Sequence, residues 1–193
     1  MYTEQLKFKN KYRIPSVRLQ ECDYSLPGLY FVTICTKDRQ CYFGKIKDGV
    51  MELLHIGKIA EKYWLELPQQ FAHVELGEFV IMPNHIHGIV SIGEIYTRDA
   101  MNRVSTTTNV VSQKKGGSTG GYNPMGKGTL GEIIRWFKGR TTFETNRIKS
   151  LPYFSWQARF HDHIIRTEKS LEIIRDYIRK NPETWLEDEL YNA

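Results

Sequence analysis

His85 and His87 stand one residue apart in the stretch Ile81-Met82-Pro83-Asn84-His85-Ile86-His87-Gly88-Ile89-Val90. Side chains alternate faces along a strand, so residues two apart share a face. A strand here turns both imidazoles one way and Ile86, Gly88 and Val90 the other. Two neutral imidazoles on one face are half of a metal site. Taken alone, such a pair is more often a set of polar surface residues, or histidines satisfied by hydrogen bonds. The setting favours ligands: the pair follows an apolar strand and a Pro83-Asn84 turn signal, and Gly88 lets a neighbour approach closely.

A second chemical feature lies far downstream, in Arg175-Asp176-Tyr177-Ile178-Arg179-Lys180-Asn181-Pro182. Tyr177 and Asn181 fall on one face of a helix that persists to its end, and Pro182 is expected to push Asn181 out of helical geometry. A helical tyrosine is usually a packing residue. Beside a divalent cation it is a candidate nucleophile. Its ordinary pKa is about 10, so attack at neutral pH needs a metal, a base or nearby cations to stabilise the phenolate. Arg179 and Lys180 are local cations, and equally ordinary solvated ones. His161 and His163 form another His-x-His. Three readings compete: a metal pair, a hydrogen bond from His163 that buttresses the site, or surface residues flanking Asp162. We expect a surface role for His161 and a supporting role for His163. His55 and His73 stand alone and read as structural or surface residues.

These residues need elements to position them. Tyr30-Phe31-Val32-Thr33-Ile34-Cys35-Thr36 is β-branched and aromatic and predicts a strand. Lys47-Asp48-Gly49 predicts a hairpin turn between short strands. Ile56, Ile59, Ala60, Tyr63, Trp64 and Leu67 recur at helical spacing before Pro68. Phe71 to Met82 predicts a strand with a break at Leu76-Gly77, and His85 to Ile92 continues as strand. Thr129-Leu130-Gly131-Glu132 has capping-box form, and Leu130, Ile133, Ile134 and Phe137 follow at helical spacing. Arg135, Lys138 and Arg140 on that helix are either solvated or phosphate-contacting. Phe160 to Arg166 predicts a strand, and Leu171, Ile174 and Ile178 a last amphipathic helix. The pattern is close to βαββαβ, which predicts an α+β, ferredoxin-like antiparallel sheet with helices packed on one face.

The chain of 193 residues carries a formal net charge of +5. Its length suits one domain with a real core, and its charge leans mildly toward polyanionic partners. Residues 1–28 read as a basic arm, and 29–193 as the catalytic domain. Within that domain, about 97–128 reads as a flexible insertion rich in Gly, Ser and Thr. Cys22, Cys35 and Cys41 are too few and too irregular for a disulfide framework, which fits a cytoplasmic, reducing setting. No apolar run approaches membrane-spanning length.

Together these segments resemble a known family. Met82-Pro83-Asn84-His85-Ile86-His87-Gly88-Ile89 resembles the HUH motif of single-tyrosine transposases, in which U is a large apolar residue. Asp176 to Pro182 resembles the tyrosine helix of that family. Trp156-Gln157-Ala158-Arg159-Phe160, leading into His163 to Arg166, resembles the segment before that helix in its REP-associated branch. Tyr30 to Thr33, with Thr36 to Arg39, resembles the branch's first strand and turn. The resemblance runs from about residue 28 to 186, interrupted by 97–128. It implies a ferredoxin-like fold with the HUH strand central. It also implies Mg²⁺ or Mn²⁺ held by His85 and His87, with Asn181 as the matching third ligand. The implied activity is cleavage and rejoining of single-stranded DNA near a hairpin, with Tyr177 forming a 5′-phosphotyrosyl link. Arg135, Lys138, Arg140, Arg179 and Lys180 are the candidate DNA contacts. Both monomers and homodimers, with the tyrosine acting in cis or in trans, fit the resemblance. Two alternatives stay open: a metal-dependent nuclease that uses water, and a domesticated hairpin-binding protein without catalysis.

Overall fold

The computed structural model describes residues 27–93 and 128–191. Apart from residues 27–28 and 128, the expected arm and insertion lie outside the described residues. In chain order the elements are β1 (Gly28–Cys35), β2 (Gly44–Lys47), β3 (Val50–Leu53), α1 (His55–Leu65), the single turn α2 (Leu67–Gln70), β4 (Val74–Ile81), β5 (His85–Ile92), α3 (Leu130–Arg147), β6 (His161–Ile165) and α4 (Glu168–Lys180). Short 3-10 turns span Lys37–Arg39 and Trp185–Glu187.

Each boundary has a local cause. Asp48 and Gly49 take left-handed φ values of 52° and 74°, which close the β2–β3 hairpin. Pro68 stands at the start of α2, where its missing N–H costs nothing. Thr129 caps α3 by accepting from the Glu132 N–H at 3.2 Å, and Thr167 caps α4 by accepting from the Ser170 N–H at 3.1 Å.

The main sheet runs β4-β5-β1-β6, with every neighbouring pair antiparallel. The units β1-α1-β4-β5-α3-β6 are therefore a βαββαβ fold of the expected ferredoxin-like α+β type. β5, which carries both histidines, is one of the two inner strands. The alternation of side chains splits the apolar residues into two layers. Tyr30, Val32 and Ile34 of β1 and Ile86 and Val90 of β5 face α1 and α3, where Trp64, Ile133 and Phe137 complete the main core. Ile89 and Ile165 face the other way and meet Leu171 and Ile178 of α4. α1 and α3 thus share one face, as expected, and α4 is added across the other. Among the described residues no helix is long and apolar enough to cross a membrane.

Gly88 lies where β5 passes under α1. A Cβ built there overlaps the Trp64 ring, and Trp64 is fully buried. Gly88→Ala is expected to destabilise the fold by about 1–3 kcal/mol through overpacking. Urea unfolding followed by tryptophan fluorescence measures this, and an unchanged midpoint would show that the Trp64 layer yields freely.

Candidate metal and tyrosine site

Register on β5 sets the site. His85 lies opposite Cys35 and His87 opposite Thr33, on the face away from the main core. His85 is fully buried, and its tautomer is fixed by Asn84. The Asn84 amide Nδ2 donates to the carbonyls of Arg39, at 3.2 Å, and Leu190, at 2.8 Å. Its Oδ1 is therefore the atom 2.8 Å from His85 Nδ1. An amide oxygen only accepts, so Nδ1 carries the proton and Nε2 keeps a bare lone pair. That Nε2 is buried with no hydrogen-bond partner.

His87 is held from both sides. Its Nδ1 lies 2.9 Å from Thr33 Oγ1, and its Nε2 3.1 Å from the Tyr177 hydroxyl. Phe31 stacks on the imidazole at a centroid distance of 5.3 Å and meets Tyr177 edge-on at 6.1 Å. Burial pulls the His85 pKa down to about 3, with Arg39 adding to the shift and the Asn181 amide opposing it. Burial, followed by the neighbouring His85, brings His87 down to about 3 as well. Both imidazoles are therefore neutral at physiological pH. Burial and then Asp188 push the Tyr177 phenol above its ordinary value, against the Asn181 amide. The protonated phenol donates to His87 Nε2, which leaves Nδ1–H to donate to Thr33.

The remaining groups come from the end of α4 and the segment after it. Asn181 keeps helical φ and ψ of −55° and −40° despite Pro182, which corrects the expectation that the proline expels it. Burial and a side-chain bond hold it there: its Nδ2 donates to Asp188 Oδ2 at 3.0 Å. Its Oδ1 is buried and without a partner. Asp188 Oδ1 accepts from the Leu190 N–H at 2.6 Å, and Asp188 Oδ2 lies 3.9 Å from His85 Nε2. With His85 neutral, that approach sets two lone pairs against each other rather than forming an ion pair.

Ligand atoms of His85, His87 and Asp188 lie within 4.8 Å of one another. Opposed donors around a small divalent ion stand about 4 Å apart, so modest side-chain shifts suffice to close the set. The two orphaned atoms, His85 Nε2 and Asn181 Oδ1, fit a cation as well, since buried polar atoms ordinarily find partners.

The other candidate residues are distributed unevenly. A cleft of about 780 Å³ is bordered by Phe31, Arg39, His87, His161, Tyr177 and Asp188. His161 thus lines the cleft, whereas His163 sits farther along β6, exposed and opposite Phe31. Lys180 is exposed at the end of α4, and Arg179 is tied to Glu78 at 2.6 Å. Arg135, Lys138 and Arg140 ride on α3, across the sheet from the histidines. Lys138 donates to the Gln157 carbonyl, and Arg140 stacks over Tyr63 at 5.1 Å. Asp188 and Asn84 were not anticipated as site residues. The acidic run Glu187-Asp188-Glu189 and the turn signal at Asn84 were the only traces of them in the sequence.

Comparison with known proteins places the fold. No protein-family profile matches the chain. A solved structure of a REP-associated tyrosine transposase bound to a REP hairpin superposes with a TM-score of 0.55 at 18% identity, covering 89% of this chain and 74% of that one. A candidate transposase of Deinococcus radiodurans R1 gives a TM-score of 0.42 at 12% identity over 84% of this chain and 96% of that one. The fold is that of the REP-associated tyrosine transposase. By sequence, the chain belongs to one family with an uncharacterized protein of Haemophilus influenzae, 36% identical over 176 residues, which cover 91% of this chain and 92% of that protein.

Two outcomes are expected. Asn84→Ala frees the His85 tautomer and weakens Mn²⁺ binding about 10–100-fold; calorimetric titration checks this, and unchanged affinity would remove Asn84 from the site. The histidines also make stability depend on pH. In the unfolded chain they take up protons near 6.5, and in the folded protein only near 3. Between those values the unfolded state binds more protons, so metal-free stability is full above 6.5 and falls as the pH drops toward 3. The slope is up to about 1.4 kcal/mol per pH unit for each histidine. Urea midpoints at pH 7 and 5 for wild type and His85→Gln test it, the variant having the shallower dependence.

Proposed function

We propose that this protein is a single-stranded DNA transposase or endonuclease that cleaves and rejoins DNA through a 5′-phosphotyrosine intermediate at hairpin-forming elements. The observation that carries this reading is the Tyr177 hydroxyl, 3.1 Å from Nε2 of a neutral, buried histidine that belongs to a candidate metal cluster. His85, His87 and Asp188, with Asn181 beside them, would hold Mg²⁺ or Mn²⁺; the one free lone pair of His87, on Nε2, would then pass from the Tyr177 hydroxyl to the ion, leaving the phenol beside it. Such an ion supplies positive charge to the oxygens of the scissile phosphate. Tyr177 attacks the phosphorus as its proton leaves. The bond from phosphorus to the 3′ oxygen breaks, and that oxygen takes up a proton. The products are a 5′-phosphotyrosyl end and a free 3′-hydroxyl. Attack by a second 3′-hydroxyl reverses the step, and because the covalent link conserves the bond, rejoining needs no external energy source.

Several features support the reading. Tyr177 stays 44% exposed while its hydroxyl reaches His87, so a strand of DNA has access to it. The cleft beside it has room for a nucleotide backbone. The net charge of +5 suits a polyanionic partner, with Lys180 and the more distant Arg135, Lys138 and Arg140 as candidate contacts.

The test uses end-labelled single-stranded hairpin DNA, Mn²⁺ and denaturing electrophoresis. Wild type is expected to give a denaturant-stable protein–DNA adduct, lost in Tyr177→Phe and in EDTA. Cleavage without an adduct would overturn the nucleophile and leave a water-using nuclease. Hairpin binding that survives both changes, with no cleavage, would leave a binding protein.

A further inference from the structure

α4 carries the tyrosine but holds the sheet by a narrow apolar stripe. Only Leu171 and Ile178 are buried along it, with Ile174 packed beside them. A helix anchored along one stripe is free to roll about its axis, and such a roll would carry the Tyr177 hydroxyl away from His87. A polar clamp opposes it. Glu78 on β4 accepts from Arg175 Nε at 2.9 Å through Oε2 and from Arg179 Nη2 at 2.6 Å through Oε1. The two arginines are one helical turn apart, with Tyr177 between them in sequence. One carboxylate thereby fixes two points on the turn that presents the phenol, through charge-assisted bonds. Burial alone would raise the Glu78 carboxyl, but its own backbone N–H and the two arginines bring it below the ordinary glutamate range.

Glu78 reaches α4 only because β4 is bulged. The register steps from Leu76–Val90 to Phe79–Gly88, so Gly77 and Glu78 together oppose Ile89. Leu76 packs into the main core, and Val80 into the layer under α4. In an unbroken strand these two positions would share a face, and Glu78 between them would point into the main core. The extra residue reverses the alternation and turns Glu78 toward α4. Gly77 fits the bulge against β5: a Cβ there would stand 3.0 Å from Ile89.

We propose that Glu78 is a positioning residue, whose paired bonds to Arg175 and Arg179 set the roll of α4 and keep the Tyr177 hydroxyl at His87. Its effect on rate rests on Tyr177 being the nucleophile; its effect on the Tyr177–His87 contact does not.

The test compares wild type, Glu78→Gln and Glu78→Asp. Single-turnover adduct formation is followed at saturating hairpin DNA with Mn²⁺, together with DNA affinity and melting temperature. Glu78→Gln is expected to slow adduct formation about 10–100-fold while DNA affinity and melting temperature hold, and Glu78→Asp to recover part of the rate. A wild-type rate in Glu78→Gln overturns the proposal. So does tighter DNA binding at an unchanged rate, which would mean that the arginines serve DNA. A second readout needs no chemistry: the ¹⁵N resonance of His87 Nε2 in the metal-free protein. Glu78→Gln is expected to move it toward the value of Tyr177→Phe. Should wild type form no adduct at all, the nucleophile fails, and this resonance decides the clamp alone: an unmoved signal overturns it.

Discussion

β5 is hydrogen-bonded on both sides, to β1 and to β4, and so has no freedom to slip. A strand so paired sends its side chains in only two directions. One direction carries Ile86 and Val90 into the main core; the other carries His85 and His87 toward α4. Core and site are the two faces of a single strand. A one-residue slip would bury the wrong set on each side, so the hydrophobic demand of the core also holds the two imidazoles in place. Gly88 sharpens the constraint, since the strand lies directly under Trp64.

Around that fixed pair the polar groups form a lattice that decides protonation. Asn84 joins three parts of the chain: the 3-10 turn at Arg39, the strand end at His85 and the C-terminal segment at Leu190. Its geometry allows one His85 tautomer. Thr33 and Tyr177 do the same for His87. Leaving a buried lone pair unpaired ordinarily costs about 1–3 kcal/mol. The structure tolerates two such atoms beside a carboxylate, His85 Nε2 and Asn181 Oδ1. A cation held between them would complete the bonding of both.

α4 meets different demands on its two sides. Its buried side is minimal, and its outer side leaves Tyr177 half open to solvent. Narrow anchoring and an accessible phenol go together, because a helix buried more deeply would cover the Tyr177 side chain. Polar contacts then do what packing does elsewhere. Asn181 binds Asp188 at the end of the helix, and Glu78 grips its middle.

The strands, the helices, the hairpin turn at Asp48-Gly49 and the cap at Thr129 were legible in the sequence, because each depends on residues near one another. So was the common face of His85 and His87, which follows from the period of a strand. The meeting of Tyr177 with His87 was legible only by resemblance, since nothing local to either residue encodes a contact across 90 positions. Other features depended on the tertiary structure altogether. Asp188 arrives at His85 because the segment after α4 folds back, and no spacing marks it. Asn84 reads as a turn residue until the carbonyls of Arg39 and Leu190 fix its amide. Arg135, Lys138 and Arg140 read as candidate DNA contacts, yet α3 carries them across the sheet from the histidines. The sequence determined which side chains share a face, because alternation is a property of the backbone. Which faces meet was decided by the packing of elements distant in the chain, and with it the donor set around the histidines and the reach of the tyrosine.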